Sequence, residues 1–302
     1  MKSGYQQKRP DTTSAKLLLY NTFTSLAILS FLVSGYSSSA QITISYNLES
    51  QAVHFGLNQL EKVLKITGQE VRKINSSTNT TAADITIQVL TDPHPALREE
   101  GFRISHRENI LQITSNDPVG AMYGALDVAE QLAMGKRRNT IAEKTINPHF
   151  TVRAVKFNLP WSPYRTGQVM EQHTAVCRDL SFWQAFLDQM AINRFNVLSL
   201  WNVHPFSFMV KPTNFPGANN FSEQEMMEWK NFWTSLFKMA KDRGIETFIV
   251  NWNIAVSPEL AQAYGVQERN DTSSVVKKYS REVVTQVINE YPDLSGIGIT
   301  LA

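Results

Sequence analysis

The second half of the chain repeats one rhythm. Segments rich in β-branched, aromatic and other apolar residues occur at 152–160, 195–202, 245–253 and 296–302. Between them lie helical stretches at 181–193, 222–244 and 272–291. Strand, helix, strand at this spacing means parallel strands joined by helical crossovers. Two architectures satisfy it, an open doubly wound sheet and a closed (β/α)₈ barrel. The open sheet usually places a Gly-rich turn after its first strand. Here that turn reads NLPWSPYRTGQ, which holds no G-x-G-x-x-G. The glycines of SGIGIT lie before and within a strand, so they form no phosphate loop either. A barrel is therefore expected, of which residues 148–302 supply about four strands, and the chain is read as stopping halfway round.

Residues 41–147 follow a different plan. QITISYNL begins as a strand, and SQAVHFGLNQLEKVLKITG (50–68) carries Val53, Leu57, Leu60 and Leu64 at helical spacing. NSSTNTTAAD is a polar loop, ITIQVL a strand, and GFRISHRENILQITSN (101–116) a hairpin turning near Arg107–Asn109. The helix at 117–136 starts with Asp117 as cap and Pro118 in its first position. The expected fold is α/β: a small α+β domain at 41–147, then the first half of a TIM barrel at 148–302.

The first forty residues read as a signal peptide. Lys2, Lys8, Arg9 and Lys16 form a basic lead, LAILSFLVSG an apolar core, and SSSAQ a cleavage site after Ala40. Asn21, Thr22, Thr24 and Ser25 interrupt any run near the ~20 residues a span requires, so no stable membrane span is expected after cleavage. The expected location is periplasmic or secreted. Cys177 is the single cysteine, which excludes an internal disulfide and any multi-cysteine metal site. His54, His94, His106, His149 and His173 show no metal-ligand spacing, and neither metal nor cofactor is expected. Net charge is +2 with basic residues spread along the chain, which argues against nucleic acid. Asn-X-Ser/Thr triplets at Asn75, Asn79, Asn220 and Asn270 matter only in a eukaryotic secretory route.

All six tryptophans fall at or after Trp161. In a barrel the working residues sit at the C-terminal strand ends. The first strand offers Lys156 and Asn158 by the two-residue period, with Trp161 and Arg165 in the following loop. The second ends in Trp201 and Asn202 with His204 beyond, and the third in Asn251, Trp252 and Asn253. Indole faces pack against the C–H faces of sugar rings, while Asn, Arg and Lys satisfy hydroxyls. A carboxylate on the substrate would favour the cations. Each also has a plain structural alternative: a strand-end Trp plugging a barrel mouth, a buried Lys in an ion pair, a His capping a loop. Trp183, Trp229 and Trp233 sit at helical positions and are expected to pack.

SNDPVGAMYGALDVAEQL (115–132) resembles the closing helix of the small domain that precedes the barrel in β-hexosaminidases and α-glucuronidases. NPHFTVRAVKFNL, LDQMAINRFNVLSLW and FSEQEMMEWKNFWTSLFKMAKDRGIETFIV are similar, in the same order, to the start of that barrel and its second and third strands. The resemblance covers most of 41–302. It implies a glycoside hydrolase acting at the non-reducing end of a glycan, and it aligns Arg153 with a first-strand arginine that holds sugar hydroxyls. The chain departs from the hexosaminidase pattern after its second strand, where Ser199 and Trp201 stand in place of histidines. A uronic acid or a hexosamine-type sugar both fit.

Glycoside hydrolysis needs two carboxylates, or one with substrate assistance. The resemblance places the acid at the end of the fourth strand, beyond Ala302, and Glu171, Asp179 and Glu259 read as surface or capping residues. The catalytic residues are thus unknown, and this fragment is expected to be inactive. The expectation is an exported glycosidase for an oligosaccharide or polysaccharide. A non-catalytic glycan-binding protein of an uptake system is the alternative. A lyase-like or deacetylase-like barrel is the third, and the lack of a His/Asp cluster argues against the deacetylase.

Overall fold

The computed structural model describes residues 41–76, 83–163 and 167–300. The expected signal peptide, Asn79 and Arg165 lie outside these residues. The described residues from Ile42 onward form one compact body, so the two expected domains pack as a unit.

Six strands build the first sheet. They are β1 (Gln41–Tyr46), β2 (Glu70–Asn75), β3 (Ile85–Val89), β4 (Phe102–Arg107), β5 (Ile110–Ser115) and β6 (Lys144–Ile146), in the order β2-β1-β3-β5-β4-β6. β1, β3 and β5 run parallel, while β4 is antiparallel to both β5 and β6. The expected hairpin is present, with Arg107 opposite Ile110 across a two-residue turn in which Glu108 has a φ of 55°. β2 was not anticipated, because EVRKIN is charged, partly exposed edge sequence rather than an apolar run. β6, three residues long, carries too little pattern to read.

Helices α1 (Gln51–Ile66) and α2 (Pro118–Ala133) pack over this sheet. Val53, Leu57, Leu60 and Leu64 are all buried, as their spacing required. The helices approach closely at Gly56, where an added Cβ would lie 3.0 Å from the Ala125 Cβ. Asp117 caps α2 by accepting from the Gly120 N–H at 2.7 Å, which satisfies one of the helix's unpaired amide donors.

The second sheet is parallel and four-stranded, in the order β10-β9-β8-β7, with β7 (Ala154–Asn158), β8 (Val197–Asn202), β9 (Glu246–Trp252) and β10 (Gly296–Thr300). Its crossovers contain α3 (Gln168–Arg178), α4 (Leu180–Ile192), α5 (Glu223–Lys241), α6 (Pro258–Tyr264) and α7 (Ser274–Glu290). The arrangement is partial-barrel-like, a sheet with helices on its convex side. α3 and α6 are additions to the expected three helices. α3 buries only Cys177, so it has no apolar stripe to betray it, and α6 is only seven residues long. α5 begins with the expected capping box, Ser222 and Glu225 bonding each other's backbone amides.

Alternation decides what each face of the sheet carries. Leu198, Leu200 and Ile249 point outward and are fully buried with Trp183, Leu187, Trp233, Phe237, Val283 and Val287 from the helices. The opposite, concave face carries Ala154, Lys156 and Asn158, then Val197, Ser199 and Trp201, then Glu246, Phe248, Val250 and Trp252. β10 adds Gly296, Gly298 and Thr300 to it. A Cβ on Gly296 would lie 2.7 Å from the Phe248 ring, so the glycine lets that ring lean across β10.

Candidate functional site

Three of the expected residues meet on the concave face. The Lys156 Nζ lies 3.7 Å from the centroid of the Trp201 ring. Trp252 meets the same indole edge-on, with centroids 6.1 Å apart at 63°. Asn158 stands opposite Trp201 in the strand register and is exposed. These residues occupy the C-terminal ends of three adjacent parallel strands, where ligands bind in barrels and open α/β sheets alike. The result is a partly exposed aromatic floor with an ammonium group above it. Indole faces and nearby donors of this kind suit a polyhydroxylated ring.

Ser199 joins them, and the sequence reading passed over it as a mere departure from a family pattern. The Trp201 Nε1–H donates to the Ser199 Oγ at 2.7 Å. Its signal was available: two residues before Trp201 on a strand must share its face.

The remaining candidates stand elsewhere. Asn202 and Asn251 neighbour the inward tryptophans in sequence, so alternation turns both outward, and they are buried. Asn202 ties two loops together. Its amide donates to the Trp161 carbonyl, and its oxygen accepts from the His204 N–H at 3.0 Å. The Asn251 Nδ2 donates to the Ala255 carbonyl at 3.3 Å. Both asparagines therefore shape loops rather than line the floor.

Trp161 is buried among Trp229, Phe232 and Trp233, with ring centroids 5.0 to 5.8 Å away. It belongs to the packing aromatics, together with Trp183, Trp229 and Trp233. Asn253 sits at the rim with a φ of 50°, its Nδ2 donating to Asn270 Oδ1 at 2.9 Å.

His204 lies half-buried just past β8, stacked on Phe208 at 5.8 Å and 15°. The Ser207 hydroxyl donates to the His204 carbonyl at 3.0 Å, so its oxygen accepts from the ring Nδ1 at 2.8 Å. That arrangement leaves the proton on Nδ1 and Nε2 as an acceptor. Burial pushes the imidazole pKa down to about 4, outweighing the pull of Glu259, so the ring is neutral at pH 7.

Arg153 is at the opposite end of the sheet, immediately before β7. Its guanidinium pairs with Glu100 and donates to the Arg194 carbonyl at 2.5 Å and the Phe150 carbonyl at 2.7 Å. The Tyr123 hydroxyl lies 3.4 Å from it. The Asn196 side chain completes the knot, donating to Glu100 Oε1 at 2.9 Å and accepting from the Arg153 N–H at 2.8 Å. Burial pulls the Arg153 pKa down, but Glu100 more than compensates and the net shift is upward. The expected sugar contact is thus replaced by a structural tie between the two sheets, on the side away from Trp201.

A groove of about 880 Å³ also opens at those N-terminal strand ends, bordered by Glu100, His149, Phe150, Lys241 and Asp293. Lys241 and Asp293 form a 2.7 Å pair at its edge, and Glu100 is taken up by Arg153. It offers no convergent set of like donors, so the concave C-terminal end is the better site. Among the described residues no group of three or more His, Cys, Asp or Glu could hold a metal ion, and no helix is long and apolar enough to cross a membrane.

Known proteins share this fold. Residues 29–147 match the family model for glycosyl hydrolase family 20, domain 2. Over 137 residues the chain is 28% identical to a probable α-glucuronidase A of Aspergillus clavatus, covering 44% of this chain and 16% of the relative. A GH138 enzyme targeting pectin rhamnogalacturonan II superposes with a TM-score of 0.73 at 25% identity, covering 86% of this chain and 30% of that one. A GH20 exo-β-N-acetylglucosaminidase from Vibrio harveyi, solved with N-acetylglucosamine, shares the fold at a TM-score of 0.54 and 11% identity, covering 84% of this chain and 42% of that one. The relatives are glycoside hydrolases, and the chain spans less than half the length of each of these three.

Proposed function

We propose that this chain is the N-terminal portion of an exported glycoside hydrolase that cleaves O-glycosyl bonds of a polysaccharide or oligosaccharide. The observation that carries the reading is the placing of Lys156, Trp201 and Trp252 together at the C-terminal ends of three parallel strands. Trp201 and Trp252 bound the sugar ring, Asn158 meets a hydroxyl, and Lys156 meets a hydroxyl or a carboxylate. A uronic acid and a hexosamine-type sugar both remain within reach of this chemistry.

The acid–base carboxylates that hydrolysis requires are assigned to a part of a longer protein beyond these 302 residues. The concave face of the described strands contributes one acid, Glu246, at its N-terminal end, away from Trp201. In this reading the present chain binds sugar and does not turn it over. Its N-terminal forty residues direct export to a periplasm or the outside of the cell.

Calorimetric titration of the chain with D-glucuronate, D-galacturonate and N-acetylglucosamine tests the proposal. One of the three should bind, and Lys156→Met and Trp201→Ala should each weaken it about tenfold or more, the equivalent of ~1.4 kcal/mol. Binding that neither substitution alters, or no binding of any of the three, defeats the reading.

A further inference from the structure

We propose that Ser199 is a positioning residue of the concave face: its hydroxyl holds the Trp201 indole along the sheet, and the indole in turn fixes the place of the Lys156 ammonium. The inference deepens the proposed sugar site and rests on that reading for its biological meaning. The physical claim stands separately from it.

Side chains on a strand ordinarily stand roughly perpendicular to the sheet. The Trp201 Nε1 instead reaches Ser199, two residues back on the same strand, at 2.7 Å. Successive residues on one face lie about 6.6 Å apart along a strand, so the ring must fold back toward its own backbone to make this bond. The indole is thereby held beside Lys156, the β7 residue that pairs with Ser199, with a ring face toward the ammonium.

Register supplies the second half of the device. Lys156 pairs with Ser199, and Asn158 pairs with Trp201. A lysine extended straight out from Lys156 therefore rises beside Ser199. The indole folded back to Ser199 meets it there, with the Lys156 Nζ 3.7 Å from the Trp201 centroid. Indole is the strongest of the aromatic partners for an ammonium within about 6 Å. Lysine's four-carbon stem is flexible, so a site that needs a cation at one point gains affinity if the rotamer is settled beforehand. Ser199 sets the indole, and the indole sets the cation. Trp252, edge-on to Trp201, closes the other side of the ring.

A serine that merely satisfied an indole N–H would leave the lysine unaffected by its loss, and this separates the two roles. The chain is labelled with 5-fluorotryptophan, which gives six fluorine resonances for its six tryptophans, and Trp201→Phe identifies the relevant one. Ser199→Thr keeps the hydroxyl, and Ser199→Val has nearly the same shape without it. The Val variant should displace the Trp201 resonance, the Thr variant should not, and the other five should stay in place. Adding Lys156→Met should move the resonance in the wild-type and Thr backgrounds but scarcely in the Val background, because the cation has already left the ring. Ser199→Ala repeats the test should the Val variant fold poorly. Equal Lys156→Met displacements in all backgrounds, or no displacement on loss of the hydroxyl, would overturn the proposal.

A titration of the same variants with whichever of D-glucuronate, D-galacturonate or N-acetylglucosamine binds the wild-type chain reads the consequence. The Val variant should bind about tenfold more weakly than the Thr variant. If the wild-type chain binds no sugar, the sugar-site reading fails while the fluorine result still decides the role of Ser199.

Discussion

The two ends of the parallel sheet are built on opposite terms. At the N-terminal ends, Arg153, Glu100 and Asn196 satisfy one another and three backbone carbonyls, and the Arg153–Glu100 pair is only 18% and 14% exposed. Arg243 and Asp188 make a similar tie at 2.6 Å. At the C-terminal ends, Lys156 and Asn158 are exposed, and Trp201 and Trp252 keep part of their surface open. A charge removed from the first end leaves a buried partner stranded. At the second, the cation and the two rings keep surface open to a ligand. The lesson is that cationic and aromatic residue types do not announce a binding site by themselves. Enclosure separates a residue that holds the fold from one that can meet a ligand.

The sharpest break of this contrast is between two tryptophans that the sequence treats alike. Trp161→Ala empties a place among three other aromatic rings and should cost about 3–5 kcal/mol. Trp201→Ala, on the half-open floor, should cost about 1 kcal/mol or less. Urea unfolding of the two variants measures the difference, and equal losses would erase the distinction drawn between the rings. Next in size is Glu100→Ala, which strands the Arg153 guanidinium and the Asn196 amide. It should lower stability by about 3 kcal/mol, whereas Lys156→Met should leave the unfolding midpoint almost unchanged.

His204 gives the comparison a pH dependence. Its folded pKa of about 4 lies below the ordinary 6.5, so the unfolded chain takes up the proton first as pH falls. Its contribution is complete above pH 6.5, declines between 6.5 and 4, and is gone below that, a change on the order of 3 kcal/mol. Glu259 and Arg269 are the charges that act on the ring. His204→Asn should flatten that part of the stability–pH curve, and an unchanged slope would place the acid sensitivity elsewhere. Smallest of all, Asn158→Ala should shift stability by less than about 0.5 kcal/mol while weakening sugar binding.

Much of the architecture was legible because it rests on period and punctuation. The strand–helix rhythm after residue 150, the Asp117 cap and the Ser222–Glu225 box all appear where local chemistry requires them. The elements that escaped lacked such marks: β2 is charged edge sequence, and α3 buries a single side chain. The site was half legible. Lys156, Asn158, Trp201 and Trp252 share a face, but Asn202 and Asn251 could have been set aside by counting alternation from the tryptophans, and Ser199 could have been added by the same count. Arg153 is different. Its partner Glu100 lies 53 residues away in the first sheet, and only the packed structure brings the two together.

The measurement that bears most directly on the account uses the six indole N–H signals of the ¹⁵N-labelled chain. They would be followed while whichever of D-glucuronate, D-galacturonate or N-acetylglucosamine binds is added. The account predicts saturable displacement of Trp201 and Trp252, with Trp161, Trp183, Trp229 and Trp233 unmoved. Displacement of the buried four with Trp201 and Trp252 still, or changes gathered around Arg153 at the other end of the sheet, would contradict it.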